Sequence, residues 1–149
     1  MKFIILAVGK LKERFWTDAC KEYTKRLQPY ASTKVVELVD NGKDRETAQI
    51  LNFLNSYGEH THVCALDIKA QQFSSTELTS HIEKIALHGT SSFIFIIGGS
   101  EGLDKEVLEE CDSSISFGPI TLPHNLARVV LLEQLYRTRK IARGEPYHK

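Results

Sequence analysis

The sequence predicts a single α/β domain built on a parallel sheet, with helices packed on both faces. Three observations lead there. Strand and helix patterns alternate five times along 149 residues with short connections, an order that builds parallel sheets with a helix layer on each side. The run Phe93-Ile94-Phe95-Ile96-Ile97 is apolar without alternation, as expected for a strand covered on both faces. It stops at Gly98-Gly99-Ser100-Glu101-Gly102, and ligands of open α/β sheets bind outside the carboxyl ends of strands. The length suits one domain with one core, and no internal repeat, low-complexity tract or linker divides it.

Taken in order, Phe3 to Val8 reads as a buried strand closed by Gly9. Glu13 to Gln28 places Phe15, Trp16, Ala19, Cys20, Tyr23 and Leu27 on one helical face, and Pro29 ends the helix. Lys34 to Val39 is β-rich, and Asp40-Asn41-Gly42 has turn composition. Arg45 to Tyr57 returns to helical spacing, with Gly58 suited to the position past a helix end. His62 to Ile68 is the third strand. Ser74 followed by Glu77 is a capping box, opening a helix that Gly89 closes. After the central strand and its glycine loop, in which φ > 0 is expected, come a helix over about Lys105 to Cys111 and a strand near Ser114 to Phe117. Gly118 to His124 breaks all periodicity. A long helix over about Leu126 to Arg143 then runs into Gly144-Glu145-Pro146-Tyr147-His148-Lys149.

Bulk composition narrows the partners. Nineteen basic and nineteen acidic side chains give a formal net charge of zero, so any nucleic-acid contact must rest on local clustering. No apolar run reaches membrane-spanning length. The apolar start lacks a small-residue cleavage site and fits a first strand better than a signal peptide. Three widely spaced cysteines argue for a reducing, cytoplasmic setting over a disulfide framework.

Four features carry chemistry, each with a plainer alternative. The glycine loop is a candidate ligand site or a strand-to-helix turn; it fits neither dinucleotide nor phosphate-loop fingerprints. His60, His62 and Cys64 share one strand face by period two, but no further ligand is at hand, so edge histidines and a core cysteine account for them and no metal is expected. Phe117 to His124 offers amides, carbonyls and apolar side chains together, as a flat heteroaromatic ligand needs, or is a proline-stiffened connection. From His124 to Lys149, Arg128, Arg137, Arg139, Lys140, Arg143 and Lys149 face only Glu133 and Glu145. That reads as a local basic surface or as a solvated helix end. The adjoining Tyr147 and His148 add an aromatic platform and a group titrating near neutrality, which favours function.

Ile97-Gly98-Gly99-Ser100-Glu101-Gly102-Leu103, Leu122-Pro123-His124 with Arg128-Val129, Glu133-Gln134-Leu135-Tyr136-Arg137 and Pro146-Tyr147-His148-Lys149, with Ala7 to Lys12 and Leu66-Asp67, together resemble the ribosomal large-subunit pseudouridine N3-methyltransferase family. That family belongs to the SPOUT class of S-adenosylmethionine-dependent RNA methyltransferases, and the resemblance runs end to end. It implies an α/β/α sandwich whose C-terminal third forms a trefoil knot, and a homodimer with each site near the subunit boundary. It implies S-adenosylmethionine contacts at Leu66, Gly98, Phe117, Gly118, Pro119, Ile120, Thr121 and Leu122. Arg137, Tyr147 and His148 match positions tied to the RNA substrate and catalysis. Pro119 stands where other members usually lack a proline and has no N–H to offer, so neighbouring amides such as those of Ile120 or Leu122 would serve.

The reaction so implied is methylation of N3 of a pseudouridine in 23S rRNA, on free rRNA or on the assembled ribosome. An imide nitrogen is a poor nucleophile until its proton leaves, so alignment, a cation and a base are what the protein must supply. Arg137 would stabilise the anion, His148 would take or shuttle the proton, and Tyr147 would stack on or hydrogen-bond the extruded base. The rivals are a non-catalytic RNA-binding or ribosome-assembly factor of the same fold, and a SPOUT methyltransferase acting on another RNA.

Overall fold

A computed structural model describes all 149 residues. Its five strands are β1 (Lys2–Val8), β2 (Ser32–Leu38), β3 (Thr61–Gln72), β4 (Ser92–Ile97) and β5 (Ser113–Ser116). The helices between and after them are α1 (Arg14–Leu27), α2 (Lys43–Leu54), α3 (Ser75–Leu87), α4 (Lys105–Glu109) and α5 (His124–Ala142). All strand pairs are parallel, in the order β2-β1-β4-β3-β5. The two apolar runs, β1 and β4, are therefore central neighbours, which is why neither alternates.

Their side chains divide by parity, as a pleated strand requires. Phe3, Ile5, Ala7, Phe93, Phe95 and Ile97 pack against Cys20 and Leu27 of α1, Leu78 and Ile82 of α3, and Leu131, Leu132 and Leu135 of α5. Ile4, Leu6, Val8, Ile94 and Ile96 meet Ile50 of α2 and Val107 of α4 on the opposite face. The expected sheet with two helical layers is present. In α5 the buried set Arg128, Leu131, Leu132, Leu135, Thr138 and Arg139 follows the spacing of one helical stripe.

Local signals mostly set the boundaries. Ser74 Oγ accepts from Glu77 N at 3.1 Å, and Ser74 N donates to Glu77 Oε2 at 2.7 Å, so the capping box forms as expected and is worth about 1 kcal/mol. Three expectations need correction. The second helix ends at Leu54, and Gly58 lies beyond its cap Asn55 with ordinary φ, because Ser56 and Tyr57 already turn onto Phe53 and Leu54. The short fourth helix stops at Glu109 and leaves Cys111 outside it. The third strand runs on to Gln72, and its pairing to β5 skips from Leu66 to Gln71. Residues 67–70 therefore bulge out of the ladder, a shape no side-chain pattern announced.

Candidate methyl-transfer site

The carboxyl ends of β3, β4 and β5 enclose a cavity of about 690 Å3, within the range of small-molecule sites. Three chain segments form it. One is Leu66-Asp67-Ile68, where β3 bulges. The second is the glycine loop after Ile97, and the third runs from Ile115 through the loop 117–122 to His124. Leu66, Gly98, Phe117, Gly118, Ile120, Thr121 and Leu122 all line it. Pro119, in the same loop, is not in the wall.

The glycine loop is built differently from the expectation. Only Gly102 has φ in the left-handed region, at 74°, while Gly98 and Gly99 do not. Gly98 is required by crowding instead: a Cβ there would lie 2.8 Å from the Gly102 carbonyl carbon and 3.0 Å from Leu103 Cδ2. The loop closes on itself through Gly102 N donating to Gly99 O at 3.0 Å, which leaves no room for a side chain. Behind it, the buried Glu46 carboxylate would stand 3.4 Å from a Cβ on Gly99. Burial, together with Asp40 and Glu101, pushes its carboxyl group upward.

Two properties of the wall narrow the ligand. Ile120, Thr121 and Leu122 take no part in backbone hydrogen bonding within the chain, so their main-chain edges are available to a bound molecule. The charged side chains in the wall are Asp67 and Glu101, and no Lys or Arg lines it. A polyphosphate would find no cation there, whereas a ligand carrying positive charge and a flat heterocycle finds carboxylates, free amides and apolar surface.

The second group lies elsewhere. Arg137 donates from Nε at 3.0 Å and from Nη2 to Glu133 Oε1, and the Tyr147 hydroxyl donates to the same oxygen at 3.0 Å. The Arg137 guanidinium sits 4.7 Å from the Tyr147 ring centroid, and Tyr147 meets Tyr136 edge-on at 4.8 Å. Arg137 Nη1 is 3.1 Å from His148 Nδ1. A guanidinium can only donate, so Nδ1 is the accepting nitrogen and the neutral ring carries its proton on Nε2. Burial, and then the hydrogen bond to Glu133, push the Tyr147 phenol up to about 12.

Helix termination brings these residues together. Gly144 at φ 63° ends α5, with Gly144 N donating to Ile141 O and Glu145 N to Lys140 O, both at 3.0 Å. This is a Schellman reversal. It turns residues 146–149 back along α5, and Glu145 is held by Tyr30 and Lys140. Glu133 is the organising residue that sequence reasoning missed. Its spacing of four from Arg137 was a legible signal, but its bond to Tyr147 was not.

The expected basic surface of the C-terminal region is largely absent. Arg128 is 2% exposed and bound to Glu37, and Arg139 is buried against Glu83. Arg137 pairs with Glu133 and Lys140 with Glu145. Two of these acids, Glu37 on β2 and Glu83 on α3, lie far away in the chain, so counting charges along 124–149 could not find them. Nor does one chain join the two groups: Ala127 of the cavity and Arg137 are ten residues apart on α5, about 15 Å along a helix axis. Of the histidine–cysteine triplet, His62 and Cys64 do share one face of β3, while His60 lies off the strand. His62 bonds Ser113 Oγ at 2.7 Å, and Cys64 is buried with its thiol pushed up to about 11. No group of three or more His, Cys, Asp or Glu side chains is arranged to hold a metal ion, and no helix is long and apolar enough to cross a membrane.

Comparison with known proteins adds to this geometry. The family described as "Predicted SPOUT methyltransferase" matches residues 1–148. Proteins named Ribosomal RNA large subunit methyltransferase H are similar over the full length of both chains. The one from Carboxydothermus hydrogenoformans is 45% identical and that from Bacillus thuringiensis subsp. konkukian 41%. Among solved structures, a "probable methylase family protein" from Haemophilus influenzae Rd KW20 superposes with TM-score 0.58 at 10% identity, covering 99% of this chain and 70% of that one. A Legionella pneumophila protein solved with the cofactor SAM bound gives 0.51 at 11%, covering 95% and 66%. At such identities the likeness is one of fold.

Proposed function

The chain belongs to the SPOUT methyltransferase family, and on that premise we propose that it methylates N3 of a pseudouridine in 23S rRNA with S-adenosylmethionine. The observation that carries the reading is the cavity wall, with two carboxylates, no Lys or Arg, and the unpaired main chain of Ile120 to Leu122. That donor set suits a cofactor with a sulfonium, an ammonium and an adenine. Leu66, Gly98 and the loop 117–122 would hold it, and when bound it supplies an activated methyl group. The names of the full-length relatives support a ribosomal RNA of the large subunit as substrate.

The chain's own contribution is placement and charge. Arg137 would supply the guanidinium that stabilises a developing imide anion. Tyr147, fixed edge-on against Tyr136, offers a rigid ring to an extruded base. His148 presents an N–H at Nε2 while Arg137 occupies Nδ1. It becomes a proton acceptor at Nδ1 only when that contact opens, so its part is relay and alignment. Arg137, Tyr147 and His148 are thus the proposed catalytic group.

Because that group and the cavity are about 15 Å apart in one chain, the complete site takes each from a different subunit of a homodimer. Ile120 at 72% exposure in the cavity loop and Phe15 at 63% on α1 are apolar groups a partner would cover. The C-terminal third is further proposed to be threaded as a trefoil knot. In support, β5 pairs beyond β3 while α5 returns to pack on α1 and α3.

Mass spectrometry of 23S rRNA from a deletion strain tests the reaction. One pseudouridine is expected to lose a methyl group, restored by purified protein with S-adenosylmethionine. An unchanged modification profile refutes the proposal. Light scattering is expected to give twice 16.9 kDa; a stable monomer would refute the shared site.

A further inference from the structure

A second cavity, of about 470 Å3, opens between the loop after β1, α1 and α5. Its wall holds Lys10, Lys21, Lys25 and Arg128 against one carboxylate, Glu37, a formal excess of three positive charges in a chain whose net charge is zero. The spacing of α1 produces this. Lys21, Thr24, Lys25 and Gln28 fall on one helical face and all line the cavity. The acids of the helix are already engaged, since Arg14 pairs with Asp18 and Arg26 with Glu22. The arginines take up the carboxylates and leave the exposed lysines without partners.

Arg128 gives the cavity a fixed floor. It donates from Nη1 to Glu37 Oε2 at 2.6 Å and from Nη2 to Gly9 O at 3.1 Å. It is 2% exposed, and its Nε has no partner. Glu37 meets the charge of this buried guanidinium, so the positive excess of the cavity comes from Lys10, Lys21 and Lys25 above a rigid floor. Glu37 Oε2 also accepts from Leu11 N at 3.2 Å, which ties the Lys10-bearing loop to the same floor.

The position identifies the anion. Arg128 bonds the Gly9 carbonyl, and His124 of the first cavity reaches within 3.6 Å of where a Cβ on Gly9 would stand, so a thin partition separates the two cavities. The first has no Lys or Arg in its wall, and most cations of α5 are spent on internal pairs. An RNA strand entering the methyl-transfer site must have its phosphates met nearby. We propose that this lysine-walled cavity seats a phosphodiester of the substrate strand close to the target nucleotide. The proposal rests on the RNA-methyltransferase reading above.

The test replaces Lys21 and Lys25, both exposed, by glutamate, and follows methyl transfer to large ribosomal subunits alongside titration of wild-type protein with inorganic phosphate. The variant is expected to stay folded and to bind S-adenosylmethionine normally. Its KM for subunits should rise tenfold or more, with the loss in KM rather than kcat, and the slope of log affinity against log salt should fall by about one to two. In wild type, phosphate should shift the amide resonances of Thr24 and Lys25. Unchanged KM and salt slope with no phosphate shift overturn the seat. A phosphate shift with unchanged KM and salt slope overturns its assignment to RNA and leaves a site for a free anion. Wild type that transfers no methyl group to any subunit preparation refutes the proposed function, while the phosphate titration still decides the seat.

Discussion

Glu133→Gln separates an organised catalytic group from a chance contact. The substitution keeps shape and removes charge. Glu133 Oε1 accepts two bonds from Arg137 and one from Tyr147, and the Glu133 and Arg137 side chains are 17% and 23% exposed. Hydrogen bonds to an ionised group are worth about 1.5–3 kcal/mol and neutral ones nearer 1 kcal/mol. With partial solvent screening, the expected loss is about 1–2 kcal/mol, lowering Tm by roughly 3–6 °C for a chain of this size. A second readout is spectroscopic. The Tyr147 phenol stands at about 12 through desolvation first and the carboxylate second, so ultraviolet titration of the variant should show one tyrosine ionising nearer its ordinary value while remaining half-buried. Because the folded phenol holds its proton longer than the unfolded one, this group stabilises the protein below about pH 10. That contribution is lost as pH climbs through about 12. The rate of methyl transfer should fall about tenfold or more as Arg137 and His148 lose their anchor, with S-adenosylmethionine affinity unchanged. A variant with wild-type tyrosine titration and wild-type kcat would show that Glu133 organises nothing.

Other perturbations probe the two ends of the site. Gly98→Ala should cost about 1–3 kcal/mol by overpacking against the Gly102 backbone and weaken S-adenosylmethionine binding with it; calorimetry showing both unchanged would mean the loop is looser than its geometry. Glu46→Gln should raise Tm at neutral pH, because burial raises the native carboxyl group and its ionisation therefore costs stability as pH rises; the advantage should vanish below about pH 4.5, the ordinary glutamate value, and an advantage that persists in acid would assign the effect to packing. Removing Pro146 to Lys149 should abolish methyl transfer with cofactor binding retained, and should also lower Tm, since Tyr147 packs on Tyr136; full activity in the truncated protein would take the tail out of the mechanism.

Much of this molecule is legible along the chain because its signals are local. Uninterrupted apolar runs mark β1 and β4 as central, a serine and a glutamate three apart start α3, and a glycine ends α5, each fixed by neighbours within a few residues. The glycine turn and the loop 117–122 stand out as irregular backbone after strands for the same reason, but each reads equally as a plain connection until the fold brings them to one cavity. What the sequence could not settle are quantities set across the fold. The cations of α5 read as a surface, but Glu37 and Glu83, on β2 and α3, neutralise Arg128 and Arg139. Gly98 read as a need for φ > 0 or for ligand space, and it is the approach of Gly102 that forbids a side chain. Glu133 was one of two acids in a basic stretch until the reversal at Gly144 laid Tyr147 against it. Backbone periodicity is a short-range property and can be read residue by residue. The partner of a charge depends on which distant elements the core brings together, and only the tertiary structure decides that.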